Sequence, residues 1–323
     1  MPALSIVLLN WNGAHLLPTC LDSIRGQTFQ DFEIIMPDNG STDGSLELVA
    51  ERYPEVRVIR FPRNVGFSLA MNAGMRESRG EFVFSLNNDT ELDSRCLEEL
   101  VEAMRAEAQV GMCAPKMVYY DDTTLINSAG HACTGDGWVY DIGRGQRDGE
   151  WFDQPREVFG ACAGAALYRR AMLEEVGLFD PGFFISYEDA DLNWRAQLAG
   201  WRAWYVPTAV VRHREGVSRG IYSRRAVFLG LRNLIHVWTK DWPLWALLPT
   251  VPLMAKRLRE SMLGIARRDG LGLVAAIVGS ALWQTPRMLS RRRRIQRSRR
   301  IPLARFEELL AMGWRHVAQP PRD

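Results

Sequence analysis

Apolar strand-like runs alternate with helical patterns through the first hundred residues, which predicts an α/β fold on a doubly wound, mostly parallel sheet. Polar, amide-rich residues terminate each early run, and ligands gather at the carboxyl ends of strands in such sheets. From Tyr222 onward the pattern is helical throughout, so a helical extension should follow the α/β part.

The first run covers residues 4–9, and a helix follows with Leu17, Leu21 and Ile24 on one face. The second run covers 32–36. Ser41, Thr42 and Asp43 then offer caps for a helix carrying Leu46, Val49 and Ala50. A third run at 56–61 leads to a helix through Met71 and Met75. Residues 81–86 read as a buried strand, and Asp93-Ser94 should cap a helix with Leu97, Leu100, Val101 and Met104 inward. Between 110 and 168 the patterns are short and broken by glycines, which suits hairpins and a mobile loop. Phe183-Phe184-Ile185-Ser186-Tyr187 leads into a helix at about 188–199, and 201–211 reads as one or two strands.

Hydrophobic content of 47% and charged content of 24% are ordinary for a globular protein with a substantial core. The 5 cysteines are odd in number and widely spaced, which points to reduced thiols and a cytoplasmic protein. Residues 1–5 enter the first strand without a basic leader, so no secretory signal is expected. The net charge of +2 hides an asymmetry: 16 Lys/Arg face 5 Asp/Glu from residue 251 to 323, a surplus of eleven, leaving minus nine on the first 250 residues. An acidic body with a basic, surface-seeking tail follows. The expected division is a catalytic domain over 1–220 and a helical, basic, membrane-associating region over 221–323.

The strand ends carry the chemistry. They read Asn10-Trp11-Asn12-Gly13, Asp38-Asn39-Gly40-Ser41-Thr42-Asp43-Gly44 and Asn87-Asn88-Asp89, with Arg63-Asn64-Val65-Gly66 after the third strand. Together they make a cleft that can hold a phosphorylated nucleoside. Asp38 can accept the imide N–H of uracil or thymine, and Arg63 can face phosphate. Asp89, one hard carboxylate with amide neighbours, suits Mg2+ or Mn2+ completed by water and substrate phosphate. Capped Asn/Asp turns use the same residue types, so a purely structural role for each turn stays open.

These segments, with Asn72-Ala73-Gly74, Gly177-Leu178-Phe179-Asp180 and residues 187–195 (YEDADLNWR), resemble the inverting nucleotide-sugar glycosyltransferases of family two, of the GT-A type. The resemblance covers about 4–218, and the bacterial rhamnosyltransferase-like branch is the most similar in pattern. It implies a GT-A-like sheet with a Rossmann-like nucleotide-binding half, an acceptor half and a C-terminal helical extension. It implies donor contacts from Asn10, Trp11, Asn12, Asp38, Arg63, Asn64, Gly66, Asn72, Asn87 and Asn88. Asp89 would hold the divalent cation, a Lewis acid for the departing diphosphate, with His213 as a further ligand. Position 87 is Asn where many relatives carry Asp, leaving one formal charge there instead of two. Asp189 would be the general base, with Glu188 beside it. Acids in a first helical turn also fit simple dipole compensation. The implied donor is dTDP-rhamnose, or a UDP-sugar such as UDP-galactofuranose, UDP-glucose or UDP-GlcNAc. The implied acceptor is a glycan or polyprenyl-diphosphate-linked sugar.

The tail holds an uncharged run of 14 residues at 270–283, short for a membrane span, and seven arginines among residues 291–300. With tryptophans at 238, 242, 245 and 283 it suits peripheral attachment to an anionic surface, the inner face of the cell membrane. A helical cap with a solvated basic end fits the same pattern. A nicotinamide-dependent oxidoreductase is disfavoured because no G-x-G-x-x-G opens the first helix. Nucleic acid is not an expected partner, since the body is acidic and no aromatics interleave the arginines. A non-catalytic, membrane-tethered sugar-nucleotide binder remains the alternative of another class.

Overall fold

The computed structural model describes residues 1–215 and 223–318. The first half runs β1 (Leu4–Leu9), α1 (Leu17–Arg25), β2 (Phe32–Asp38), α2 (Ser45–Arg52), β3 (Val56–Arg60), α3 (Phe67–Glu77), β4 (Phe82–Asn87), β5 (Thr90–Leu92) and α4 (Cys96–Ala106). Amphipathic spacing makes these helices: Leu17, Cys20, Leu21 and Ile24 of α1 are all buried, and Pro18 sits in its first turn, where a missing N–H costs nothing. Asp43 caps α2 by accepting from the Ser45 N–H at 3.1 Å.

The second half runs β6 (Val110–Tyr119), β7 (Ile126–Ser128), β8 (His131–Cys133), β9 (Val139–Asp141), β10 (Arg156–Val158), β11 (Ala165–Arg169), α5 (Arg170–Val176), α6 (Glu188–Leu198) and β12 (Arg202–His213). The main sheet has the order β10-β12-β6-β11-β4-β1-β2-β3, and β8-β9 form a separate hairpin. β3, β2, β1 and β4 are mutually parallel, as are β12 and β6, whereas β11 runs antiparallel between β4 and β6. The sheet is therefore mixed but mostly parallel. β1 lies between β2 and β4, so the chain reverses its direction of winding there. In open α/β sheets ligands bind outside the carboxyl ends of the strands at such a point.

One expectation is narrowed. The 201–211 segment is the single strand β12, with a register slip between Val206 and Val210 where Pro207 has no N–H to give. The apolar run before α6 is a loop in which Phe184, Ser186 and Tyr187 take left-handed backbone angles.

From residue 223 onward come α7 (Arg224–Asp241), α8 (Leu244–Asp269), α9 (Leu271–Ser298) and α10 (Leu303–Ala318). Tyr222, the expected start of the helical region, lies outside the described residues. The uncharged run and the arginine cluster are one continuous helix, α9. Among the described residues no helix is long and apolar enough to cross a membrane. Trp194 of α6 is fully buried, stacked on Phe306 and edge-on to Trp242, in a core shared by α6 to α10. Replacing so enclosed an aromatic by alanine costs about 3–5 kcal/mol. All five cysteines are unpaired thiols.

Candidate active site at the strand ends

The cleft is built first from bonds between loops. Asn10 ends β1 and is fully buried; its amide donates to Asp38 Oδ2 at 2.9 Å and its oxygen accepts from Asn88 at 2.7 Å. Asp38 Oδ1 takes the Ser41 N–H, and Asn12 Oδ1 takes the Thr42 N–H. Gly13 must be glycine, since a Cβ there would meet the Asn88 amide at 2.0 Å. Asn39 accepts from the Val65 N–H and donates to Asn64, which accepts in turn from the Gly66 N–H. Gly66 has φ of 92°, and a Cβ on it would strike the Phe184 ring.

Two cavities meet over this floor. One, of about 370 Å³, is walled by Trp11, Asn39, Asn64, Gly66, Asn88 and Arg225 among others. The second, of about 320 Å³, is walled by Glu188, Asp189, His213, His131, Asp141 and Tyr187 among others. Asn87 and Asp89 line both.

Asp89 and His213 face each other across the junction. His213 Nε2 is 3.3 Å from Asp89 Oδ1, yet that buried oxygen has no hydrogen-bond donor among the described residues. Asn127 explains the pose. Its amide donates to the Glu215 carboxylate at 2.9 Å, which turns its oxygen toward His213 Nδ1, also at 2.9 Å. A neutral His213 then carries its proton on Nδ1 and aims the Nε2 lone pair at Asp89. Lone pairs facing across 3.3 Å repel, and either a proton on Nε2 or a cation between the two groups relieves that repulsion. The donor set, one carboxylate and one imidazole oriented by the Asn127 amide, fits a divalent metal.

Asp189 stands in the first turn of α6. Its oxygens accept the Ala190 N–H at 2.8 Å and the Ala163 N–H at 3.3 Å. Nearby, His131 Nε2 lies 3.3 Å from Asp141. Burial opposes charge on His131, but Asp141, Asp189 and Cys162 together hold its pKa well above the ordinary histidine value. Ligand atoms of His131, Cys162 and Asp189 lie within 4.8 Å of one another. However, His131 is committed to Asp141 and faces Asn193 at 3.1 Å, and burial pushes the Cys162 thiol up. The cluster is a His131–Asp141 pair with the Cys162 thiol beside it.

The loop that delivers Glu188 and Asp189 is strained and braced. Asn233 of α7, fully buried, donates to the carbonyls of Phe183, Ile185 and Ser186 at 2.7 to 3.0 Å. Left-handed non-glycine residues cost about 1–3 kcal/mol each, so the loop keeps this shape only because α7 imposes it. A buried ionic cluster locks α6 to α7 and α9: Lys240 meets Asp180 at 2.8 Å and also Asp191, Arg291 meets Asp180, and Arg195 grips Asp191 at 2.7 Å.

Of the expected donor residues, Trp11, Asn64, Gly66, Asn87 and Asn88 line a cavity, as do Asp89, Glu188, Asp189 and His213. Asn10, Asn12, Asp38, Arg63 and Asn72 do not line either cavity. Asn10, Asn12 and Asp38 spend their polar atoms on neighbouring loops. Arg63 is exposed, with its backbone packed over Gly40. Asn72 is buried in α3, exchanging two hydrogen bonds with the Phe179 backbone at 2.7 and 3.0 Å. Asn127, Asn233, Asn39 and Arg225 were missed. The first lies in a three-residue strand and the others in ordinary helix or turn sequence, so only Asn39, inside the quoted strand-end segment, carried a sequence signal.

The chain belongs to glycosyl transferase family 2, whose model it matches over residues 5–177. It is therefore a glycosyltransferase. It is 26% identical over 299 residues to the N-acetylglucosaminyl-diphospho-decaprenol L-rhamnosyltransferase of Mycobacterium tuberculosis, covering 84% of this chain and 97% of that one. Its fold is similar to the mannosyltransferase PcManGT of Pyrobaculum calidifontis, solved with GDP-Man and Mn2+ (TM-score 0.54, 18% identity, 92% of this chain and 86% of that one). It is also similar to GalNAc-T7, solved with UDP, GalNAc and Mn2+ (TM-score 0.59, 19% identity, 73% of this chain and 47% of that one).

Proposed function

We propose that the protein moves a sugar, with inversion, from a nucleotide-diphosphate donor to a lipid-linked glycan, and that L-rhamnose from dTDP-rhamnose is the donor sugar. The observation that carries this is the meeting of two cavities at Asp89 and His213, with Asp189 on the far cavity's wall. The Trp11, Asn64 and Asn88 side takes the nucleotide, with Asn10, Asn12, Asp38, Arg63 and Asn72 bracing the loops behind it. Asp89 and His213 would hold a Mg2+ or Mn2+ ion, which when bound supplies Lewis-acid stabilisation to the departing diphosphate. Asp189 accepts the proton of the acceptor hydroxyl.

The rhamnose assignment is supported by the mycobacterial relative, whose name also supports a polyprenyl-diphosphate-linked acceptor. Residues 1–220 would form the catalytic unit. The region 221–323 would brace α6 and rest on an anionic membrane surface, on the cytoplasmic side. Exposed Leu282, Trp283 and Leu248 in α8 and α9 support that attachment.

Nucleoside diphosphate release from a panel of dTDP- and UDP-sugars, with and without Mn2+ or Mg2+, tests the reading. Metal-dependent turnover that is abolished in Asp89→Ala is expected, strongest with dTDP-rhamnose. Turnover of a UDP-sugar alone would replace the donor, and metal-independent turnover would remove Asp89 from its role.

A further inference from the structure

A third cavity, of about 440 Å³, lies between α7, α8 and the β8-β9 hairpin. Its volume falls within the range of small-molecule pockets, roughly 300–1,000 Å³. Its walls are Trp138, Val227, Leu231, Leu234 and Ile265, and its charged lining residue is Arg268. Leu231, Leu234 and Ile265 belong to the buried core, so the floor is rigid and apolar.

Two features separate this groove from an accidental gap. It adjoins the cavity that holds Asp189. Tyr187 lines both, and Trp138 and Val227 of the groove adjoin Val139 and Ala226 of the site in sequence. Tyr187 is held in place by its left-handed backbone, with φ of 64°, and by edge-on contact with Trp138 at 6.4 Å. The second feature is the choice of glycine inside two helices. Gly230 of α7 and Gly264 of α8 line the groove, and a Cβ on either would meet nothing within 4 Å. Glycine within a helix is unfavourable, and here no close helix contact requires it. The groove is kept wide.

The geometry points to the hydrocarbon chain of a lipid-diphosphate acceptor as the occupant, lying along α7 and α8 while its sugar reaches Asp189. The inference rests on the proposed lipid-linked acceptor and adds where the lipid is read. A flexible apolar chain suits a mostly apolar groove that shares Tyr187 with the cavity of the acceptor hydroxyl's base. Leu263 and Leu271, exposed near the α8–α9 turn, extend the apolar surface toward the proposed membrane face. An acceptor lacking the chain would lose this contact and keep the sugar contacts.

The test uses the full chain and a farnesyl diphosphate bearing a photoactivatable diazirine on its terminal isoprene, with labelled peptides identified by mass spectrometry. Labelling within 227–234, 261–268 or at Trp138 is expected, and Gly264→Leu should reduce it by about tenfold or more. Leucine is a better helix former than glycine and its Cβ collides with nothing, so this variant should fold. Labelling confined to exposed α9 residues around 282–289, or unchanged in Gly264→Leu, overturns the groove. A parallel transfer assay compares acceptors with long and short lipid chains. The wild type should show a KM lower by about tenfold for the long chain, and Gly264→Leu should erase that preference. Because labelling needs no turnover, specific labelling with no transfer to any lipid-linked sugar would refute the acceptor reading alone. Equal transfer to long and short chains without specific labelling would refute the groove alone.

Discussion

Replacing Asn127 by leucine removes the group that sets the tautomer of His213 and leaves both His213 and Asp89 in the chain. In the native arrangement the Asn127 oxygen accepts from His213 Nδ1 at 2.9 Å, and the Nε2 lone pair faces Asp89 at 3.3 Å. Without that acceptor, Nδ1–H loses its partner in a largely enclosed site and the proton can move to Nε2, where it blocks a cation. A net hydrogen bond is worth about 0.5–1.5 kcal/mol, and leaving a buried donor unmet costs about 1–3 kcal/mol. Groups that hydrogen-bond the far nitrogen of a ligating histidine are worth about 10–100-fold in metal affinity, or roughly 1.4–2.7 kcal/mol, so the two routes agree. The assay is transfer rate against Mn2+ concentration at saturating donor, repeated by calorimetry with nucleoside diphosphate present. The half-saturating Mn2+ concentration should rise about 10–100-fold in Asn127→Leu. Asn127→Leu combined with His213→Ala should be no worse than His213→Ala alone, because both act through one imidazole. An unchanged metal midpoint, or fully additive losses, would refute the assignment of His213 as a ligand held by Asn127.

Asp189→Asn should lower transfer by roughly 10²-fold or more while donor binding is nearly unchanged, and Glu188→Gln should be milder; the reverse ranking in steady-state kinetics exchanges their roles. Burial would raise the Asp180 pKa, but Lys240, the Gly182 N–H and Arg291 hold it below the ordinary carboxylate range. Its stabilising contribution is therefore present above the unfolded value of about 3.9 and is lost as pH falls through the lower folded value. Thermal melts of Asp180→Asn should show a loss of roughly 3–5 kcal/mol at pH 7 that shrinks below pH 4; a constant difference across that window would contradict the lock. Membrane attachment should be electrostatic in part. Substituting serine for the exposed Arg293, Arg294 and Arg297 together should remove about 3 kcal/mol of binding to anionic vesicles. Flotation that is equal on neutral vesicles and insensitive to salt would indicate insertion of Leu282 and Trp283 instead. Truncating the tail is the poorer experiment, because Phe306 and Leu309 of α10 belong to the buried core.

The amino-acid sequence determined the order of β1 to β4 and α1 to α4, because their apolar periods are local and each turn carries its own caps. It also determined which strand ends bear carboxylates, so Asp89 and Asp189 could be chosen from composition at a position and a motif. The mixed direction of the sheet was not legible: nothing within residues 165–169 says that β11 runs antiparallel between β4 and β6. The shape of the segment 183–187 was not legible either. Phe184, Ser186 and Tyr187 are left-handed, and Asn233 and Arg232, about fifty residues away, supply hydrogen bonds to its carbonyls. Asn10, Asp38 and Asn72 look like ligand contacts in sequence because amides and carboxylates serve loops and ligands equally well. Which partner they take depends on what folds against them, and here it is other loops. His213 shows the division most sharply. The sequence placed a histidine between two arginines after a strand, but its lone pair points at Asp89 only because Asn127 and Glu215, brought together from different strand ends, orient the ring. Local periodicity is written along the chain. Hydrogen-bond partners are chosen across it, and that choice exists only once the chain has folded.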